Sequence, residues 1–173
     1  MRKLNAFLFV LISVLVPLFC WAAGDMSIIN ITGKITSSSC KVDGDSLNVP
    51  VKLGSNIQSN DLSKAESSTP WVDFHLKVIS CPESVTQATV TFTGKADTAN
   101  PESMYSNDGT AENVAIELQG SGGEDLGNGK SLVGKIDVDH THTFDLQARV
   151  YSAKGNATGG NISSAVTATF TYQ

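Results

Sequence analysis

Val166-Thr167-Ala168-Thr169-Phe170-Thr171-Tyr172-Gln173 is the stretch on which the fold turns. Val166, Ala168, Phe170 and Tyr172 fall on one side of an extended chain and three threonines on the other, the pattern of a half-buried strand. The same period of two recurs at Val72, Phe74, Leu76 and Val78, and at Ala88, Val90 and Phe92. It returns at Val114, Ile116 and Leu118, and at Phe144, Leu146, Ala148 and Val150. Thr, Val and Ile crowd these segments, as pleated surfaces favour. Turn-forming clusters separate them: Asp43-Gly44-Asp45, Ser106-Asn107-Asp108-Gly109, the glycine-rich 120–129, and Lys154 to Gly160. No window of helical length carries a 3.6 period, and 60–67 is the best place for one short turn. The reading is all-β: one domain, without internal repeat, folded as an immunoglobulin-like β-sandwich. Trp71 stands only ten residues before Cys81, the wrong place for the antibody-type core pattern.

Upstream, Arg2 and Lys3 precede an apolar run from Leu4 to Phe19, and Cys20 and Ala22 are spaced as the −3 and −1 residues of a signal-peptidase site. Residues 1–22 are therefore expected to be an export signal, cleaved after Ala22, with Ala23 as the alternative. Phe19 before Cys20 argues against lipidation, and no membrane insertion of the mature chain is expected. Loss of Arg2 and Lys3 leaves 10 basic residues (12 less two) against 17 acidic ones, moving the formal charge from −5 to −7. A chain this acidic, without a basic cluster, is not a nucleic-acid binder.

Removal of Cys20 leaves Cys40 and Cys81. In an oxidising compartment they should pair, with two buried free thiols as the alternative. A bridge over that span stabilises by about 4 kcal/mol in the chain-entropy account.

Both ends carry strands. Ile29, Ile31, Gly33 and Ile35 share one face near the N-terminus, with Asn30, Thr32 and Lys34 opposite and Ile28 as an extra apolar residue on that second face. The bland reading makes this the first strand of its own sheet; the sharper one makes it a strand that completes a neighbour. At the other end Val166–Gln173 alternates to its last residues, and a sandwich ending there is expected to lack its last strand and expose an apolar groove. A spare strand and a missing one make a head-to-tail, filament-forming unit.

These residues resemble the minor, adaptor-type subunits of type 1 and related fimbriae, over essentially the whole mature chain. Gly33-Lys34-Ile35 with Cys40 five residues on is similar to the family's opening, and Cys81-Pro82 to its second half-cystine. Gly109-Thr110-Ala111 followed by Val114-Ala115-Ile116-Glu117-Leu118 resembles an internal block, and Phe144, Leu146, Ala148 and Tyr151 the strand before the final hairpin. Gly160 and the penultimate Tyr172 resemble the C-terminal signature. The resemblance implies an incomplete immunoglobulin-like sandwich, a signal over 1–22, a donor-strand extension over 23–34 and a pilin domain over 35–173. It implies as partners neighbouring fimbrial subunits, a periplasmic chaperone that lends a strand, and an outer-membrane usher that swaps it for the next subunit's extension. Ile29, Ile31 and Gly33 would be donor residues. Gly160, Val166, Ala168, Phe170 and Tyr172 would mark the groove-edge strand that meets the chaperone. The destination is the cell surface, through the periplasm. The alternative is a self-contained, lectin-like extracellular domain, which an aromatic sugar-stacking cluster would have favoured; Trp71 alone remains after cleavage.

Chemistry-bearing motifs do not assemble into a catalytic site, and no cofactor is expected. His140 and His142 would share a strand face but lack a third metal ligand, so an outward polar face is expected, and His75 is read as solvent-side. Gly129-Lys130-Ser131 imitates a phosphate loop, but Glu124 stands where that motif needs glycine. Ser121, in Gly120-Ser121-Gly122, lacks the outer glycine spacing of a nucleophile elbow and any triad partners. The carboxylates lie in turns, where their backbone preferences place them, and the sequons at Asn30, Asn156 and Asn161 are read as accidents of a Thr/Ser-rich chain.

Overall fold

The computed structural model describes residues 27–34 and 39–173. The expected signal over 1–22, its cleavage site, residues 23–26 and Ile35 lie outside the described residues. The chain divides into two units, residues 1–36 and 37–173. In the first, Ser27–Lys34 joins no helix or ladder, and Ile28, Ile29 and Ile31 are 85%, 79% and 90% exposed.

The second unit holds nine strands among the described residues: β1 (Lys41–Val42), β2 (Ser67–Ser68), β3 (Val72–Ile79), β4 (Gln87–Gly94), β5 (Met104–Ser106), β6 (Ala115–Gly120), β7 (Ser131–Lys135), β8 (His142–Ser152) and β9 (Val166–Tyr172). All pairings are antiparallel. A six-stranded sheet runs β1-β3-β8-β6-β5 with β2 also on β8, and a three-stranded sheet runs β7-β4-β9. The five long alternating segments of the sequence are β3, β4, β6, β8 and β9. The short β1, β2, β5 and β7 lack enough residues to show a period. One 3-10 turn at Ser59–Leu62 meets the expectation of a short turn near residue 60, and it buries Leu62.

Alternation becomes packing between the sheets. Leu76 and Val78 of β3, Val90 and Phe92 of β4, and Phe144 and Leu146 of β8 form the buried layer. Each such side chain contributes roughly 1.5–3 kcal/mol on burial. Tyr105 enters the same layer and donates its hydroxyl to the Leu126 carbonyl at 2.8 Å, satisfying both groups. Burial pushes its phenol up to about 12. The Cys40–Cys81 disulfide forms, tying the residue before β1 to the chain just past β3, where Lys41 already faces Ile79.

Outward faces are polar for different reasons. On the small sheet Thr89, Thr91 and Thr93 stand opposite Thr171, Thr169 and Thr167, a cross-strand ladder that suits pleated pairing. On the large sheet Glu117 is only 6% exposed because β6 is an interior strand. Its carboxylate accepts from Arg149 Nε, and the guanidinium lies 4.1 Å from the Trp71 ring centroid. Trp71 thus packs on an arginine, away from the disulfide-centred role excluded by its position.

The histidines correct one expectation. His75 is exposed, as read, but His140 and His142 do not share a strand face. His140 sits in a turn at φ 62°, with its carbonyl accepting from the Cys81 amide. His142 opens β8 and packs edge-on against the buried Phe144, with ring centroids 4.6 Å apart. His142 stands two residues before Phe144 and faces Val78 across the ladder, so it joins the inward row, while His140 lies outside the strand.

Candidate functional site: an open groove beside β9

β9 is an edge strand: β4 occupies one side, and no described residue pairs with the other. The consequence shows in its inward face. Its β4 neighbours Ala88, Val90 and Phe92 are buried, whereas Ala168, Phe170 and Tyr172 are half-buried and Val166 is 37% exposed. Burial also raises the Tyr172 phenol above its usual value.

Facing β9 across the opening is residues 48–55. Val49, Val51 and Leu53 alternate toward the core and pack on it, with Pro50 and Lys52 exposed between them. This is strand patterning without a strand. Residues 48–57 make no backbone–backbone hydrogen bond to any described residue. Between the two lies a groove of about 1350 Å³, floored by core side chains including Leu76, Phe92, Tyr105 and Leu118. Polar backbone left beside apolar side chains demands a partner. One extended strand would supply hydrogen bonds to both edges and cover the floor between them.

One end of the groove is shut by two loops zipped together. The Asp108 amide donates to the Ser163 carbonyl at 2.7 Å and the Ala111 amide to the Asn161 carbonyl at 3.1 Å. The Ser163 amide donates to Asn107 Oδ1 and the Glu112 amide to Thr158 Oγ1, both at 2.8 Å. Two glycines permit the approach: a Cβ on Gly109 would fall on the Asn161 carbonyl, and one on Gly160 on the Ala111 amide.

The sequence-selected residues are distributed plainly. Cys40 and Cys81 are bonded. Val166, Ala168 and Phe170 line the groove, Gly160 closes its end, and Tyr172 lies on the same face of β9, packed on the core beyond the groove lining. Ile29, Ile31 and Gly33 are exposed in the separate N-terminal unit. Sequence reasoning missed the opposite wall. Val49, Val51 and Leu53 keep a period of two, but Pro50, which lacks an amide, and the shortness of the run hid it.

The family profile described as Fimbrial protein matches residues 29–173. The S-fimbrial adhesin protein SfaS of Escherichia coli is 37% identical over 145 residues, covering 83% of each chain. The protein FimG of Escherichia coli is 32% identical over 151 residues, covering 87% of this chain and 86% of that protein. Among solved structures, the P pilus rod subunit PapA superposes with a TM-score of 0.65 at 20% identity, over 79% of this chain and 100% of that one.

Proposed function

The chain belongs to the fimbrial protein family, and we propose that it is a link in the fibre whose groove is completed by a strand from a neighbouring subunit. It is a structural subunit of a chaperone–usher fimbria, displayed at the cell surface. A catalytic role has no place in this reading. The observation that carries it is the pair of unbonded edges, β9 and residues 48–55, on either side of one apolar groove.

Dimensions and energies support it. The eight residues Ser27–Lys34 reach about 27 Å when extended, and the seven of β9 about 24 Å, so one such strand spans the groove. Moving Ile29 and Ile31 from near-full exposure into a neighbour's groove yields about 3–6 kcal/mol, before any ladder bonds form. In this reading residues 1–22 direct export, 23–34 donate, and 35–173 form the acceptor domain. A periplasmic chaperone fills the groove along Val166, Ala168, Phe170 and Tyr172 in transit, and the usher exchanges its strand for the next subunit's extension. The minor, adaptor-type position rests on the sequence motifs, and a low, fixed copy number per fibre is its signature.

Urea unfolding of the full exported chain, disulfide intact and its own strand silenced by Ile29→Asp/Ile31→Asp, tests the reading. Donor peptides at about 100 times their Kd stabilise by about 2.7 kcal/mol. That moves the midpoint by about 1–3 M urea. High, cooperative stability that no donor peptide changes would overturn it.

A further inference from the structure

Asn128-Gly129 is the one Asn-Gly pair in the sequence. Such a pair is chemically fragile, since glycine has no Cβ to keep its amide nitrogen away from the neighbouring carboxamide. The fold places it just before β7 and commits both reactive groups to β4. The Phe92 amide donates to the Lys130 carbonyl at 2.9 Å, and the Gly129 amide donates to the Phe92 carbonyl at 2.7 Å. One step on, the Gly94 amide donates to Asn128 Oδ1 at 3.0 Å. The carboxamide thus stands in for a backbone carbonyl and carries the β4–β7 pairing past Ser131. Asn128 itself is exposed, so water and hydroxide reach it. On its other edge the same stretch of β4 supports the groove: Phe92 and Gly94 face Ala168 and Val166 of β9, which line it.

We propose that Asn128 is a deamidation site that the end of β4 keeps closed, and that a strand seated in the groove closes it further. The second half rests on the donor-strand reading above. In the reaction the Gly129 nitrogen loses its proton to hydroxide and attacks the side-chain carbonyl carbon of Asn128. The carboxamide nitrogen takes a proton from solvent and leaves as ammonia, and a five-membered succinimide remains. Water then opens the ring: cleavage at the side-chain carbonyl gives aspartate, and cleavage at the main-chain carbonyl gives isoaspartate. Neither begins while the Gly129 N–H is bonded to Phe92 and the carboxamide to Gly94. The end of β4 must come away first, at a cost set by local opening. A strand added beside β9 steadies β9 and, through it, β4. Aspartate keeps an acceptor for the Gly94 amide. Isoaspartate adds a methylene to the main chain and moves the Gly129 amide off Phe92, so a subunit that waits empty is weakened irreversibly. The modification therefore marks subunits that were exported and never joined a fibre.

The test incubates the full exported chain, carrying Ile29→Asp/Ile31→Asp with its disulfide intact, at mildly alkaline pH in three states. It is unfolded in urea, folded and empty, or folded with donor peptides at about 100 times their Kd. The peptides are residues 23–34 and the corresponding segments of fimbrial relatives. Peptide mapping reads the one-dalton gain and the isoaspartate at residue 128, with Asn128→Asp as the aspartate standard. The empty folded chain reacts at least about tenfold more slowly than the chain in urea. A bound peptide slows it at least about tenfold again, up to the roughly hundredfold that mass action sets when opening requires an empty groove. Chain bearing isoaspartate unfolds at lower urea than Asn128→Asp. A folded rate closer than tenfold to the rate in urea overturns the closed site, a smaller effect of a bound peptide overturns the link to the groove, and equal urea midpoints overturn the weakening. If no peptide binds, the donor-strand reading falls and takes the link to the groove with it, while the ratio of folded to urea rates still judges the closed site.

Discussion

Tyr105→Phe separates two properties of one buried phenol. Its hydroxyl donates to the Leu126 carbonyl at 2.8 Å, and the side chain has no exposed surface although it lines the groove floor. At pH 7 the substitution leaves that carbonyl short of a donor, a loss of about 1–2 kcal/mol. The alkaline limb behaves oppositely. Burial raises the folded pKa from 10.0 to about 12. Above pH 10 the unfolded chain therefore releases a proton that the folded chain retains, and stability falls as pH rises from about 10 to about 12. Two pKa units correspond to about 2.7 kcal/mol. Solvent in the open groove screens the site and reduces this to about 1–2 kcal/mol. Phenylalanine carries no such liability. The two effects are similar in size, so the destabilisation seen at neutral pH should shrink above pH 10 and vanish near pH 11–12. Urea titrations at pH 7, 9, 10.5 and 11.5, followed by circular dichroism over minutes to spare the disulfide, read the difference directly. A destabilisation that stays constant across that range would refute the assignment of a buried, neutral phenol.

Three further outcomes follow from the packing. Cys40→Ser/Cys81→Ser should lower stability by about 4 kcal/mol, seen as a fall in urea midpoint matching that of the reduced wild type. Gly109→Ala drives a Cβ onto the Asn161 carbonyl and should cost about 1–3 kcal/mol, whereas Gly44→Ala meets nothing and should stay within about 0.5 kcal/mol; paired thermal melts distinguish them. Glu117→Ala strands Arg149 above Trp71 and should cost about 1–3 kcal/mol, below the fully buried range because Arg149 retains some exposure. Arg149→Ala on top should cost less than its single-variant value, with Trp71 fluorescence reporting the lost guanidinium.

Much of the architecture is local in origin and so was legible residue by residue. A period of two tells which side chains turn inward. It identified β3, β4, β6, β8 and β9, and it placed Ala168 and Phe170 on the groove face. Compartment chemistry identified the Cys40–Cys81 bond. The paired histidines were misjudged because a two-residue spacing implies one face only when no turn intervenes, and His140 is in one.

What the amino-acid sequence determined by itself, then, was composition of faces: the apolar row of each strand, the threonine row behind it, and the positions where the chain turns. Only the tertiary structure decided which edges remain unpaired. Every residue but proline carries the same backbone donor and acceptor, so nothing in the identity of Thr167 or Lys52 records whether its amide finds a partner. That depends on which distant segments arrive beside it, as with the zipped loops at Gly109 and Gly160, the buried Glu117 and the unpartnered hydroxyl of Ser164. The groove exists because β9 and residues 48–55 meet the core on their faces while, among the described residues, their backbones find no neighbour between them.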